Sequence, residues 1–255
     1  CVQEADRRSI VKVSSSPFRA QLRAELQILA RNGEQLLLTL IIPVMLLVFF
    51  GTTDVLPTGF DDHMDFLTPG IIALAIMSSS MVSLGIATGF ERSYKVLKRL
   101  GVTPLGRPRW LAAKIVTVLL MQIVQLIILI PVALILDWQS GNAQWLLAIA
   151  AVATGSVAFA GLGLFIAGRL RAEINLAAQN GLYLLLLLLG GMVVPFDKLP
   201  EPVAAVAKCL PSGALADVLR DALVGQADRP GTSWVVLGIW ALFTPLLAAK
   251  TFRWE

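Results

Sequence analysis

The chain of 255 residues is 56% hydrophobic and only 15% charged, and its mean hydropathy is +0.76. Soluble domains carry roughly a quarter of their residues as charges. The composition therefore excludes a soluble globular protein and makes lipid the solvent for much of the surface. The formal net charge of +4 would suit nucleic acid, but the cations flank apolar stretches, so no nucleic-acid partner is expected.

An N-terminal segment, residues 14–33, is predicted to be an amphipathic helix that lies at the membrane interface. Ser16 and Pro17 form an N-cap followed by a proline at the first helical position. Apolar side chains then recur every fourth residue, with a basic residue on another face: Phe18, Leu22, Leu26 and Arg23. This pattern suits a helix on the inner membrane surface, and an ordinary solvated helix is the alternative.

Apolar stretches along the chain predict an all-α integral membrane protein with six transmembrane helices. Spans of ~20 residues and short loops occupy the chain, so one domain over residues 1–255 is expected. The predicted spans are about 36–53, 66–89, 111–136, 144–168, 174–195 and 234–250. Lys114 and Lys250 are the only acidic or basic residues within them, and both are predicted to reach the cytoplasmic interface.

The distribution of Lys and Arg predicts that the N- and C-termini are cytoplasmic. With the N-terminus inside, all but four of the 21 basic residues fall in inner segments, the bias of cytoplasmic loops. The four outer ones are Lys198, Lys208, Arg220 and Arg229. In this topology Cys1 is inside and Cys209 outside, so the two cannot form a disulfide with each other.

Two loop segments have sequence features of their own. The inner segment 90–104, between spans 2 and 3, is dense in charge, and a plain topology determinant is its alternative interpretation. The outer segment 196–233, between spans 5 and 6, holds two apolar patches separated by Pro211-Ser212. Each patch is too short to cross the bilayer, which favours a re-entrant or interfacial helical hairpin over an ordered surface loop.

Motifs for chemistry on this chain are missing from the sequence. It has no GxxxxGK[ST] phosphate loop, no Cys/His cluster and no nucleophile elbow, so we expect neither an enzyme nor a cofactor or metal site. The predicted spans keep no acid or base at mid-membrane, unlike ion-coupled carriers. Energy for active transport would therefore come from a partner protein.

The second predicted span holds a group of small polar residues. Ser78, Ser79 and Ser83 can hydrogen-bond between helices and let them approach closely. Helix packing is the favoured interpretation of these serines, and a substrate pathway is the alternative.

The inner segment also carries a family resemblance. Phe90-Glu91-Arg92, Leu97-Lys98-Arg99-Leu100 and Thr103-Pro104-Leu105 resemble the signature of ABC-2-type transport permeases, F-E-R-E-R-G-T-L-K-R-L-x-x-T-P-L. Tyr94-Lys95-Val96 stand where that family usually has R-G-T. The six spans, the basic N-terminal helix and an outer proline pattern also agree. That pattern comprises Pro195, Leu199, Pro200, Leu210 and Pro211.

The resemblance implies a permease subunit of a bacterial ABC exporter, multi-pass in the cytoplasmic (inner) membrane. Two ATP-binding subunits would carry ATP and magnesium, and a second permease, identical or related, would complete the membrane part. The loop from 91 to 100 would be a coupling helix that docks on the ATP-binding subunit. Its residues are Glu91, Arg92, Lys95, Leu97, Lys98, Arg99 and Leu100.

In that docking interface, Leu97 and Leu100 would enter a groove of the partner and the cations would pair with acidic groups at its rim. The N-terminal helix would brace the partner, and the outer hairpin with its five proline-pattern residues would form an extracellular gate. The expected substrate is an amphipathic drug-like molecule, a lipid or a glycan. A non-transporting membrane scaffold or assembly factor that binds a soluble partner is the alternative function.

Overall fold

The computed structural model describes residues 17–53, 63–101, 105–141, 143–192, 195–225 and 230–252, and all regular structure among them is helical. These residues form eleven α-helices, one π-helical segment and one 3-10 turn. In chain order they are α1 Pro17–Arg31, α2 Gly33–Thr52, α3 His63–Met77, the π-helical segment Ser78–Ser83, α4 Leu84–Ser93, α5 Val96–Gly101, α6 Gly106–Ile135, α7 Trp145–Ala167, α8 Ala172–Leu189, the 3-10 turn Phe196–Lys198, α9 Glu201–Cys209, α10 Pro211–Val224 and α11 Pro230–Thr251.

Five helices in the described part of the chain are long and apolar enough to cross a membrane. They are His63–Ser93, Arg109–Ile135, Trp145–Ala167, Ala172–Leu189 and Gly231–Thr251. A sixth is reached if α9 and α10, which meet at 80°, are one broken span. The described apolar part of α2, Thr39–Thr52, is a shorter helix. The prediction of an all-α membrane protein is confirmed for these residues, with five to six candidate spans; the orientation stays a prediction.

The continuous helix formed by α3, the π-helical segment and α4 lies at the centre of the bundle. Of its most apolar stretch 72% is buried, against 22% for α8 and for α11. The sequence of α3 is apolar on every side, as expected of a helix enclosed by other helices. Helices α2, α6, α7 and α10 pack around α3.

A glycine of α7 allows close packing against the centre of this long helix. A Cβ atom on Gly163 would lie 2.6 Å from the backbone oxygen of Met81, in the π-helical segment. No side chain fits at that distance, so the two backbones approach as small residues allow in membrane helix pairs.

Large apolar side chains on the outside of the bundle face away from the protein. Ile127 of α6, Leu188 of α8 and Leu242 of α11 are each more than half exposed. An exposed apolar surface of this extent is unfavourable in water and suits contact with lipid or another membrane subunit.

The outer segment folds as two helices of different burial. Most of α9 is exposed or half-buried, whereas α10 is buried along its length except Asp221, which is intermediate. Pro211 begins α10, and Gly225, with φ 75°, ends it in the left-handed conformation that favours glycine. Helix α10 packs against α3, α7 and α11. Helix α10 thus enters the bundle at 80° to α9, an angle that fits a re-entrant segment or one broken span, and the hairpin stays a prediction.

Candidate functional site

The predicted coupling segment is a short helix set off by a sharp turn. Helix α4 ends at Ser93, and Lys95 adopts a φ of 59° before α5 begins at Val96. A positive φ is unfavourable for a residue with a Cβ atom. The family pattern R-G-T has a glycine at the position of Lys95. Glycine adopts a positive φ without strain, so the family residue suits the left-handed turn that Lys95 makes here.

Helix α5 and the turn before it present three cations to their surroundings, whereas one leucine of α5 faces its own protein. Lys95, Lys98 and Arg99 are exposed, and Tyr94 is 70% exposed beside them. Leu97 is 0% exposed and belongs to a cluster of buried apolar side chains. The other members of that cluster include Leu105, Trp110, Leu164 and Phe252.

The predicted role of Leu97 is therefore corrected. Its side chain is already buried within this chain and has no surface to place in a groove of a partner. It instead holds α5 against the bundle. The side chain of Leu100 lies outside the described residues, as do residues 102–104 of the predicted loop.

Two further predicted coupling residues make contacts inside the protein. Arg92 Nη1 donates a hydrogen bond of 2.9 Å to the carbonyl oxygen of Ala167, the last residue of α7. A cation at that position satisfies an unpaired carbonyl and interacts favourably with the helix dipole. Glu91 points towards α6. The end of α4 is thus fastened to two other helices just before the exposed cations of α5.

A buried ion triad joins α1, α4 and α6. Lys114 Nζ lies 2.9 Å from Glu25 Oε2 and 2.6 Å from Glu91 Oε1, and the residue Lys114 is only 2% exposed. Gln21 Nε2 donates a 2.8 Å hydrogen bond to the other oxygen of Glu25. Two carboxylates hold the ammonium group of Lys114 inside the protein, so it does not extend into solvent; its position at the cytoplasmic interface stays a prediction.

Helix α1 carries the predicted amphipathic pattern, and it packs against α6 and α2 of the bundle. Phe18, Leu22 and Leu26 are half-buried, and Arg23 is exposed. Glu25 is buried on this helix because it pairs with Lys114. The position of α1 at a membrane surface stays a prediction.

A buried polar network surrounds the predicted serines. Gln122 Nε2 lies 2.5 Å from Ser79 Oγ and 3.1 Å from Ser80 Oγ, and Ser79 Oγ lies 3.3 Å from Gln125 Oε1. Gln125 also donates a 2.9 Å bond to the carbonyl oxygen of Thr39. Ser79 thus bonds between helices, whereas Ser78 and Ser83 are half-buried outside these contacts.

A second network fastens α8 to the centre. Asn175 Nδ2 donates a 2.9 Å bond to the carbonyl of Gly85, and Gln179 Nε2 donates a 2.9 Å bond to that of Gly163. Both amides are 0% exposed. A Cβ atom on Gly85 would meet the amide of Gln179, so glycine at that position makes room for it.

The predicted gate residues lie around the outer hairpin. Pro195, Leu199 and Leu210 are half-buried, Pro200 is exposed and Pro211 is buried. Beside them, Ser233 donates a 2.6 Å hydrogen bond to Asp217, and Arg220 bonds to the carbonyl of Gly191 with its guanidinium 4.3 Å from the ring centre of Phe66. A cleft of about 330 Å³ lies between α9, α10 and α11.

A smaller cleft of about 80 Å³ lies next to the ion triad. Its charged lining residues among the described part are the three triad members. Its apolar wall consists of Ile28, Leu29, Leu84, Val118 and Met121, and Ser79, Ser83, Thr39 and Thr117 add hydroxyl groups. The cleft therefore connects the serine network with the charged end of α4.

The sequence interpretation missed the four buried amides. Gln122, Gln125, Asn175 and Gln179 stand within predicted spans, where an amide is costly unless it is hydrogen-bonded. Asn175 and Gln179 are four residues apart and so share one helix face. That spacing was the available signal. The pairing of Lys114 with Glu25 had no local signal, since 89 residues separate them.

Comparison with known proteins gives a consistent result. The sequence profile of the family described as "ABC-2 type transporter" matches residues 17–224. A protein of Bacillus subtilis (strain 168) named "Putative transport permease YvfS" is 28% identical over 199 residues, which cover 76% of this chain and 80% of that protein.

Proposed function

The chain belongs to the ABC-2 type transporter family, and we propose that it is the permease subunit of an ATP-driven exporter for an amphipathic molecule. As a family member it is a transmembrane component of an ABC transporter and a non-catalytic membrane subunit. The proposal adds the direction, the substrate class and the docking site.

The observation that carries the proposal is the geometry of α5. Lys98 and Arg99 of this short helix are exposed, as is Lys95 in the turn before it, and Leu97 beneath them is fully buried. Exposed cations steer and orient an acidic partner surface rather than supply most of the affinity. A rigid, cationic protrusion of this kind suits the rim of a groove on an ATP-binding subunit.

The contacts behind α5 supply a route for movement of the partner to reach the membrane helices. Arg92 links the end of α4 to α7, and Glu91 links it through Lys114 to α6 and α1. Packed helices and ion pairs carry coupling when they have two discrete arrangements. We propose that docking on α5 shifts these helices between an inward-open and an outward-open state.

The complete transporter, in this proposal, contains two permease subunits and two ATP-binding subunits, which bind ATP and magnesium. The exposed apolar surfaces of the bundle suit contact with a second permease, identical or related, as well as with lipid. The outer hairpin of α9 and α10 would close the extracellular exit. The mostly apolar spans with buried Ser and Gln suit an amphipathic cargo, such as a drug-like molecule, a lipid or a glycan.

Co-purification tests the docking site. The chain is co-expressed with candidate ATP-binding subunits, and the amount of partner that remains bound is measured for wild type and for Lys98→Glu/Arg99→Glu. We expect the charge reversal to reduce the bound partner about tenfold or more, because like charges would oppose at the rim. Lys250→Glu is the matched control, since Lys250 is an exposed cation at the end of α11.

Full assembly of the Lys98→Glu/Arg99→Glu complex would overturn the docking assignment. Leu97→Asp is unsuitable for this test, because it would place a carboxylate in the chain's own apolar cluster and destabilise the permease itself. A complex that assembles but shows no transport and no substrate-stimulated ATP turnover would favour the membrane scaffold instead.

A further inference from the structure

The cleft beside the ion triad has an uneven charge balance. Two carboxylates, Glu25 and Glu91, face one ammonium group, that of Lys114, so the formal charge of the triad is negative. Glu25 and Lys114 are 7% and 2% exposed. A buried charge without a full counterion is costly. A cation in the cleft would offset that cost.

Glu91 is the group that is placed to receive such a cation. Among the described residues its side chain forms one hydrogen bond, with Lys114, and that bond engages Oε1. Glu25 uses both oxygens, one for Lys114 and one for Gln21. The side chain of Glu91 is 19% exposed, the most open of the triad, and it lines the cleft. Glu91 Oε2 therefore has capacity to accept a hydrogen bond.

The remaining walls indicate what kind of cation fits. Ile28, Leu84, Val118 and Met121 offer hydrocarbon contact beside the carboxylates. The volume of about 80 Å³ is roughly half of the ~150 Å³ of an engineered cavity that holds benzene, so the cleft takes the head and first carbons of an amine and leaves a longer chain outside it. An inorganic ion would use only the oxygen atoms of this lining, whereas an organic monocation would use the hydrocarbon contacts as well. An ammonium head with a short apolar stem matches both parts of the lining.

We propose that this cleft binds the ammonium group of an organic monocation, with the ammonium on Glu91 and its hydrocarbon against α1, α4 and α6. The inference rests on the proposed function: if the chain is an exporter subunit, the bound amine is its substrate, and it enters from the side of α1. Such a ligand shares the carboxylate of Glu91 with Lys114, which weakens their ion pair and thereby loosens the joint between α1, α4 and α6. Substrate binding would in this way reach the helix that precedes α5.

Binding to the purified full-length chain tests the proposal. Isothermal titration of hexylammonium is carried out in nanodiscs of phosphatidylcholine, with empty nanodiscs as the blank. We expect saturable binding of hexylammonium, and neither hexanol nor hexanoate should bind or compete. Sodium chloride at the concentration of the amine should not displace it. Equal binding of hexanol and hexylammonium would overturn the proposal.

Three variants locate the site. Glu91→Gln should weaken binding of hexylammonium about tenfold or more, since it removes a charged acceptor. Glu173→Gln is the matched control, because Glu173 is an exposed carboxylate at the start of α8, and it should bind as wild type. Ala87→Phe fills the cleft and keeps the triad, so it should abolish binding even if Glu91→Gln folds poorly. Unchanged binding in Ala87→Phe would contradict the assignment.

Two sources of an ammonium group are separated by the lipid composition. In nanodiscs that contain phosphatidylethanolamine, weaker binding of hexylammonium assigns the cleft to lipid headgroups, and unchanged affinity assigns it to a free amine. If hexylammonium does not bind but the chain still assembles with an active ATP-binding subunit, this inference fails while the proposed function stands.

Discussion

Lys114 holds two carboxylates at 2.9 and 2.6 Å in a position that is almost closed to solvent. Removing ions from water costs several kcal/mol each, and only good pairing recovers that cost. Its three charged groups come from three helices, so the arrangement fixes α1 and α4 relative to α6. The energetic effect of each residue therefore depends on whether its partners remain charged.

Lys114→Met should destabilise the protein strongly, because Glu25 and Glu91 would then be buried without their cation. Loss of one partner of a buried pair costs about 3–5 kcal/mol. The thermal unfolding midpoint in detergent measures the effect, with Lys250→Met, an exposed lysine, as control. The triple variant Glu25→Gln/Glu91→Gln/Lys114→Met should recover most of the loss. Equal midpoints for Lys114→Met and Lys250→Met would contradict this account of the triad.

Single residues show where sequence information ends. A lone lysine near the end of an apolar stretch usually extends to the interface, and nothing local indicates that Glu25 is its partner. Leu97 illustrates the same limit. An apolar side chain on a short charged helix predicts that the side chain is buried. The sequence pattern is the same whether it is buried in a groove of another protein or, as here, in a cluster of its own chain.

At the scale of elements, α8 exposes most of its apolar surface. Only 22% of its most apolar stretch is buried, and its second half exposes Leu184, Leu185 and Leu188. The amides of Asn175 and Gln179 bond to the backbone of α4 and α7. These two side chains give α8 its register on the centre of the bundle.

Asn175→Ala should lower the stability of the bundle, since it removes the bond to the carbonyl of Gly85 and leaves a gap. Interhelical hydrogen bonds in membranes contribute about 0.6 to 2 kcal/mol, which is a few degrees in the unfolding midpoint for a chain of this size. Asn180→Ala is the matched control, because Asn180 is exposed and bonds within its own helix to Leu176. An equal effect of both changes would contradict the proposed anchoring.

Hydropathy predicts the elements well, because a span requires about twenty apolar residues. It predicted segment 196–233 as a hairpin, since each patch is too short to cross. Hydropathy did not indicate that the second helix of this segment, α10, enters the bundle. Arg220 was counted among outer loop cations, yet it is 4% exposed and stacks on Phe66. Pro211 marks the break between α9 and α10 but does not specify which helices α10 packs against.

At the scale of the whole molecule, the orientation in the membrane can be tested with thiols. In a Cys1→Ser chain, Cys209 is free and exposed, and a membrane-impermeant maleimide should label it in sealed spheroplasts. In a Cys1→Ser/Cys209→Ser chain that carries Ser93→Cys next to α5, labelling should require permeabilisation, because Ser93 is exposed on the predicted cytoplasmic side. The reverse labelling pattern would contradict the predicted topology, because α5 would then lie on the side of the membrane opposite to cytoplasmic ATP.

The account as a whole states that exposed cations on α5 couple this permease to an ATP-binding subunit. ATP hydrolysis by the complex in liposomes tests that claim most directly. Turnover should depend on the permease, fall about tenfold or more in Lys98→Glu/Arg99→Glu and stay at the wild-type rate in Lys250→Glu. Wild-type turnover in the double charge reversal, with the permease present and required, would contradict it.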